Sequence, residues 1–326
     1  MRAVMCEEFG PPDSLVVRNV DDLRPGKGQV RIAIEACGVN FPDTLIIANK
    51  YQIKPPLPFS PGAEVAGVVD ALGEGVVGVA VGDKVMAMNS HGGFAEQIVV
   101  DASAILGCPD TMPSTVAAGF TMTYGTSMHA LKQRADLQPG EVLLVLGAGG
   151  GVGLAAVEIG KAMGATVIAA ASSDEKLEAA KEAGADHLIN YSEQDLRTRI
   201  KEITKGNGVD VFYDPVGGEM FEQALRSTAW KGRALVVGFA SGQIPKVPAN
   251  LTLLKGCSVV GVFWGAFRMR ETAEDNANFV QLFDWYAQGK LKPHVSRTFP
   301  LEQAATALND LINRKVVGKV VLTTGK

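Results

Sequence analysis

The stretch Glu141-Val-Leu-Leu-Val-Leu-Gly-Ala-Gly-Gly-Gly-Val-Gly153, followed at once by Leu154-Ala-Ala-Val-Glu-Ile-Gly-Lys-Ala162, decides the fold of this 326-residue chain. Its apolar run is too short for a typical helix and ends on a cluster of glycines, after which an alanine-rich helical pattern begins. That order predicts a strand, a tight turn and a helix whose N-terminus presents bare backbone N–H groups. Glycine omits the Cβ that would hold a pyrophosphate away, and the helix end adds partial positive charge. Gly147, Gly150 and Gly153 fall three apart with Gly149 and Gly151 between them, a slightly enlarged form of GxGxxG, and Val152 completes the first helical turn. A glycine cluster alone also fits an ordinary turn. Here Gly164-Ala165 stops the helix and Thr166-Val-Ile-Ala-Ala-Ala171 reads as a second buried strand, so a dinucleotide-binding βαβ unit is expected.

Strand and helix keep alternating downstream, with strands read at 187–190, 209–213, 234–238 and 257–262. Roughly six parallel strands with intervening helices make a complete doubly wound sheet. Ser172-Ser-Asp-Glu175 reads as a capping box opening one helix, and Gly184 as its stop. Upstream the pattern differs. Residues 29–35, 65–70, 84–88 and 94–100 are short strand candidates divided by Gly, Pro and Asp, and 29–35 alternate polar with apolar. They predict a small β-barrel or rolled sheet. Beyond Phe267, helices are read near 274–289 and 301–314, then a strand Lys319-Val-Val-Leu322 that lies past a finished nucleotide fold and should rejoin the N-terminal sheet. The expected domains are 1–120 plus 267–326, and 121–266.

Composition narrows the function classes. With 47% hydrophobic and 20% charged residues the chain reads as an ordinary soluble globular protein. A net charge of −4 supplies no basic field for nucleic acid or an anionic membrane. No stretch approaches the ~20 apolar residues of a membrane span. The N-terminus turns acidic by Glu7-Glu8 without a signal-peptide core, so a cytoplasmic location is expected. Cys6, Cys37, Cys108 and Cys257 form no CxxC pair, and the four histidines form no HxxxH or HxxE pair. Reduced thiols and no bound metal are expected. Cys37 stands out only because it lies near the candidate active-site loop. Tyr286-Ala-Gln-Gly-Lys290 spells YxxxK, but at a helix end far past the glycine turn, where coincidence explains it.

Several motifs together give the chain a likeness along its whole length: Gly38-Val-Asn-Phe-Pro-Asp43, Pro61-Gly-Ala-Glu-Val-Ala-Gly67, Val81-Gly-Asp-Lys-Val85, the glycine turn, Gly238-Phe-Ala-Ser-Gly242 and Gly318-Lys-Val-Val-Leu322. It resembles the medium-chain dehydrogenase/reductase superfamily and, within it, the zinc-free quinone oxidoreductases related to zeta-crystallin. The resemblance implies a GroES-like catalytic domain with a Rossmann domain inserted, usually as a dimer or tetramer, with a homodimer expected here. In zinc-dependent members, Asn40 would be a cysteine and Ala63 a histidine. Neither side chain present can act as a thiolate or imidazole ligand. Without a Lewis acid, reducing a quinone or a polarised C=C is easier to support than oxidising a simple alcohol, because the developing charge is delocalised.

The resemblance also carries residues. Asn40 and Tyr51 match positions flanking nicotinamide and substrate, where the Asn40 amide can donate to a carbonyl or ribose and the Tyr51 phenol to a developing oxyanion. A turn Asn and a loop Tyr are the plainer readings, and Asp43 caps the following helix or takes part in the chemistry. Thr123 matches a position near the nicotinamide ring, or bonds its own helix. Gly238, Phe239 and Phe263 stand at carboxyl ends of strands, where cofactors lie, with core packing the alternative for the rings. The second strand ends in Ala170-Ala-Ser-Ser173 where an acid would select NAD, so no carboxylate repels a 2′-phosphate. Lys176 and Tyr191 match positions that bind that phosphate, with Ser172 beside them, the alternatives being a helix N-cap at Ser172 and a solvated Lys176; Lys319 is a further cofactor contact or a solvated surface charge. The expected cofactor is NADPH, and the expected reaction is hydride transfer to a quinone or α,β-unsaturated carbonyl. The alternatives are an enoyl-type reductase of acyl-CoA or haloacrylate substrates, and an NADPH-binding, crystallin-like protein with little turnover.

Overall fold

The computed structural model describes residues 1–325 and divides into two compact units, Met1–Met122 with the chain from His294 onward, and Thr123–Pro293. The first unit opens with β1 (Arg2–Met5), paired antiparallel with β2 (Val16–Asn19). Then come β3 (Gln29–Val39), α1 (Phe41–Ile47), β4 (Glu64–Leu72), β5 (Lys84–Met88), β6 (Gln97–Asp101), β7 (Ile105–Gly107) and α2 (Ser114–Ala117). Burial along β3 alternates from Gln29 to Glu35, as the polar–apolar pattern demands, and is then continuous from Ala36 to Val39. The strand therefore sinks into the core just before it hands over to α1 at Asn40.

The second unit begins with α3 (Thr121–Met128, its first two residues in the first unit), then β8 (Val142–Leu146), α4 (Gly151–Ala162), β9 (Thr166–Ala171), α5 (Asp174–Glu182), β10 (His187–Asn190), α6 (Leu196–Ile203), β11 (Val209–Asp214), α7 (Glu219–Arg226), β12 (Thr228–Val236), α8 (Ala249–Lys255), β13 (Ser258–Gly261), α9 (Trp264–Arg270) and α10 (Thr272–Ala287). Its six strands run parallel in the order β10-β9-β8-β11-β12-β13, the expected doubly wound sheet. Near-complete burial of Leu143 to Leu146 and of Val167 to Ala171 reflects strands covered on both faces. α10 belongs here and not with the returning segment, a correction to the boundary read at 267. Trp264 Nε1 donates to Asp275 Oδ1 at 2.8 Å, and the amides of Gln133 and Asn278 bond each other, so the helix is tied to α9 and to the segment after α3.

The chain then returns through β14 (Val295–Pro300), α11 (Ala304–Ile312) and β15 (Lys319–Thr323). The seven-stranded sheet of the first unit has the order β14-β15-β3-β4-β5-β7, with β6 also on β3. As expected, the last strand rejoins it: β15 pairs antiparallel with β3, Val320 opposite Val39, while Glu64 of β4 lies opposite Gly38 on the other side. Among the described residues, no helix is long and apolar enough to cross a membrane.

Candidate active site

Parallel pairing puts the carboxyl ends of all six strands of the second unit at one edge of its sheet, and the residues singled out there follow those ends one by one. After β8, Gly147 takes φ +60, a left-handed turn that favours glycine. A Cβ on Gly153 would stand 2.3 Å from the Gly147 carbonyl oxygen, so this glycine lets α4 close onto the turn. Gly149 yields room to Lys176, whose Cβ would lie 2.4 Å from an added Cβ. Gly150 is different. It caps α4 in extended backbone, and a Cβ there would meet nothing nearer than 3.5 Å. No internal contact demands glycine at 150, so the space it keeps open lies outside, at a helix N-terminus suited to a pyrophosphate.

At the end of β9, Ser172 receives a long contact of 3.5 Å from Lys176 Nζ, and its carbonyl accepts from Ser192 Oγ at 3.0 Å. Tyr191 follows directly from β10, its N–H bonded to Ala171 O at 3.1 Å. These contacts bring Lys176 to Ser172 and set the Tyr191 backbone beside Ala171, with the Tyr191 side chain partly buried against the apolar core of the unit. The expected capping box at Ser172 is corrected: Ser173 is the N-cap of α5, without a side-chain cap bond, which leaves the Ser172 hydroxyl clear of that duty. Asp174 Oδ1 accepts instead from Asn190 Nδ2 at 2.9 Å. Gly238 and Phe239 follow β12, Phe263 follows β13, and both rings are too exposed for the core-packing reading, at 38% and 68%. Thr123 is buried in α3, one turn before Ser127, which donates to Val152 O at 3.0 Å. Sequence reasoning missed Asp214, whose Oδ1 accepts from the N–H groups of Val216 and Gly217 and shapes the turn after β11.

In the first unit the site is a buried polar cluster around Asn40, the N-cap of α1. Its side-chain Nδ2 donates to Glu64 Oε2 at 3.0 Å and to Gly38 O at 3.3 Å, and its Oδ1 accepts from Lys319 Nζ at 2.7 Å. Both amide protons are thereby engaged. The expectation that Asn40 donates to a ligand is corrected to a single remaining role, that of acceptor through Oδ1. Lys319 is corrected too. It is buried, not solvated, and its three protons go to Asn40 Oδ1, Val39 O and Glu64 Oε2, so none is left for a cofactor phosphate.

Asp43 shows the capping reading: its Oδ2 accepts from the Asn40 N–H at 2.7 Å. Complete burial pushes its pKa up to about 7, against the opposing pull of that N–H and of Lys319. Tyr51 is half-buried against the core beyond α1, and burial followed by the charge of Asp43 raises its pKa, so the phenol keeps its proton. Burial likewise drives the Cys37 thiol well up, which removes it as a nucleophile. Glu64 went unassigned in the sequence. Its signal was an acid opening an apolar strand, but its partner Lys319 is 255 residues away.

Glycine turn, doubly wound parallel sheet and a mostly antiparallel seven-stranded sheet together define the medium-chain dehydrogenase/reductase class. A family model described as alcohol dehydrogenase GroES-like domain matches residues 26–110, and one described as zinc-binding dehydrogenase matches 151–283. The quinone oxidoreductase-like protein 2 homolog of Nematostella vectensis is 40% identical over 99% of this chain and 89% of its own. The quinone oxidoreductase of Rattus norvegicus is 33% identical over 99% and 97%. A crystal structure of Escherichia coli quinone oxidoreductase complexed with NADPH superposes with a TM-score of 0.92 at 29% identity, covering 99% of this chain and all of that one. The chain belongs to the quinone oxidoreductase family of the medium-chain dehydrogenase/reductases.

The residues present do not suit the zinc ion that one of those descriptions mentions. No three His, Cys, Asp or Glu side chains gather in metal-binding range among the described residues. At Asn40 the donor set is an amide already bonded, beside a carboxylate already holding an ammonium.

Proposed function

We propose that the protein is an NADPH-dependent reductase of quinones or α,β-unsaturated carbonyls that works without a metal ion. The observation that supports this reading is Lys176 beside Ser172, with the Tyr191 backbone adjoining, past a glycine turn where Gly150 leaves open space at a helix N-terminus. Bound NADPH supplies the hydride. The backbone N–H groups of Gly151, Val152 and Gly153, in the first turn of α4, would receive its pyrophosphate, the Gly150 N–H being bonded to Gly147 O, and Lys176 with the hydroxyls of Ser172 and Tyr191 would receive the 2′-phosphate as a point charge and two donors. The nearby acid, Asp174, is held by Asn190. Gly238, Phe239 and Phe263 provide backbone and ring surface at the same sheet edge, and Thr123 borders the nicotinamide.

In the first unit the atom of the Asn40 side chain that could accept from a cofactor hydroxyl would be Oδ1. Tyr51 stabilises the oxygen on which negative charge develops, first as a hydrogen-bond donor and then by yielding its proton. Its raised pKa keeps that proton in place at neutral pH. On the same reading the protein is a homodimer, which the position of β13 at the end of the parallel sheet supports, since an edge strand offers unpaired N–H and C=O groups.

The test is oxidation of NADPH, followed by absorbance, with 9,10-phenanthrenequinone and an enone. Tyr51→Phe lowers kcat by about 10²-fold while leaving the NADPH dissociation constant unchanged. Tight NADPH binding with no turnover across the panel would discard the enzyme reading in favour of a binding protein.

A further inference from the structure

We propose that Glu64 and Lys319 are positioning residues that hold Asn40 in one orientation of its amide, and that the reaction depends on them through Asn40. The proposal deepens the function proposed above and rests on it where activity is read.

An asparagine amide has two ends of nearly equal shape, so packing alone does not choose between them. Chemistry chooses here. Lys319 ammonium can only donate, and it stands 2.7 Å from Oδ1; Glu64 carboxylate can only accept, and it stands 3.0 Å from Nδ2. A flipped amide would set N–H against ammonium and carbonyl against carboxylate. In a site where Asn40 is 7% exposed and Glu64 not at all, neither repulsion is screened by water.

The two positioning groups are themselves held. Glu64 Oε1 accepts from the Met122 N–H at 2.7 Å, and the third proton of Lys319 goes to Val39 O at 3.2 Å. Gly38 leaves room for the carboxylate, since a Cβ there would lie 2.8 Å from Glu64 Oε2. With Asp43 on its backbone N–H, Asn40 is fixed by β4, β15 and α1 together. Hydrogen-bonded on every side, the buried ion pair avoids the usual desolvation liability, and its gain is specificity of geometry.

The experiment uses the double variant Lys319→Met/Glu64→Gln, in which both charges leave together and no lone ion is buried. Lys319→Leu/Glu64→Leu, an apolar pair that also removes both charges, serves if the first double does not fold. Each is combined with Asn40→Ala. In the folded variant, turnover of 9,10-phenanthrenequinone falls about tenfold to a hundredfold. Asn40→Ala, which lowers turnover in the wild type, then costs less than about twofold more. A crystal structure of the variant shows the plane of the Asn40 amide turned about its Cβ–Cγ bond away from the wild-type position, a change visible without telling nitrogen from oxygen. Wild-type turnover in a folded variant, losses that multiply on adding Asn40→Ala, or an Asn40 amide left in place would each overturn the proposal. A wild-type protein that reduces neither quinone nor enone defeats the functional reading instead, and the crystallographic position of Asn40 then decides this one.

Discussion

At Ser172 a single hydroxyl stands where a carboxylate would select NAD, and its neighbours make the choice of cofactor a local matter. Lys176 crosses Gly149 on its way to Ser172, so the loop and the ammonium are built as one piece. Ser172→Asp would place a negative charge beside the expected 2′-phosphate. It should raise the NADPH dissociation constant by about 10²-fold and change that for NADH by less than about threefold, measured by fluorescence titration. Lys176→Ala should weaken NADPH about tenfold and spare NADH. Equal losses for both cofactors would mean that these residues hold the fold and not the phosphate.

The glycine turn between β8 and α4 separates two duties within one element. Gly153 serves packing, because its missing Cβ lets the helix meet the Gly147 carbonyl. Gly150 has no such internal reason. Gly153→Ala must therefore shift backbone, and we expect a loss of about 1–3 kcal/mol in stability together with cofactor binding. Gly150→Ala keeps an extended backbone that alanine tolerates, so its melting temperature should stay within a few degrees of wild type. Its NADPH affinity should nonetheless fall by tenfold or more, as the methyl group enters the cradle. Thermal melts and titrations on the pair check both arms. An unchanged affinity in Gly150→Ala would show that the ligand lies elsewhere.

Over the whole molecule, buried carboxyl groups give both units the same sign of pH dependence, and burial raises the pKa of Asp214 and Asp275 in the second unit along with the two strongest cases. Asp43 in the first and Glu158 in the second both have pKa values pushed up to about 7 by burial, Glu158 despite hydrogen bonds from Tyr124 Oη at 2.6 Å and the Lys292 N–H at 3.1 Å. Their ordinary values are 3.8 and 4.5. Between those values and about 7 the folded chain keeps a proton that the unfolded chain has lost, so stability falls as pH rises, by about 1.4 kcal/mol per pH unit for each group. Urea midpoints should be higher at pH 5.5 than at pH 8. Asp43→Asn should flatten the dependence of the first unit and raise its midpoint at pH 8. A midpoint independent of pH would mean that both groups ionise freely in the folded state.

Strand and helix periods, the glycine turn and the missing acid after β9 needed nothing beyond local sequence, because strand burial, helix capping and backbone reach are set by neighbours in the chain. That is why the parallel sheet, the return of β15 and the residues at the sheet edge were legible. Asn40 and Lys319 were legible as positions but not in their roles. A donor or a charge is available to a ligand only if no other group has taken it. Of the groups that took these, the Gly38 carbonyl is a chain neighbour of Asn40, but Glu64 and Lys319 reach Asn40 from other strands, as Val39 and Glu64 reach Lys319. The segment 267–293 likewise went to the second unit on contacts made by Asp275 and Asn278. Sequence by itself determined the fold and the turn at which we propose a dinucleotide is held, since both rest on short-range backbone geometry. Tertiary structure alone decided which polar atoms around Asn40 are still unengaged, since hydrogen-bond capacity is shared among residues that meet only after folding.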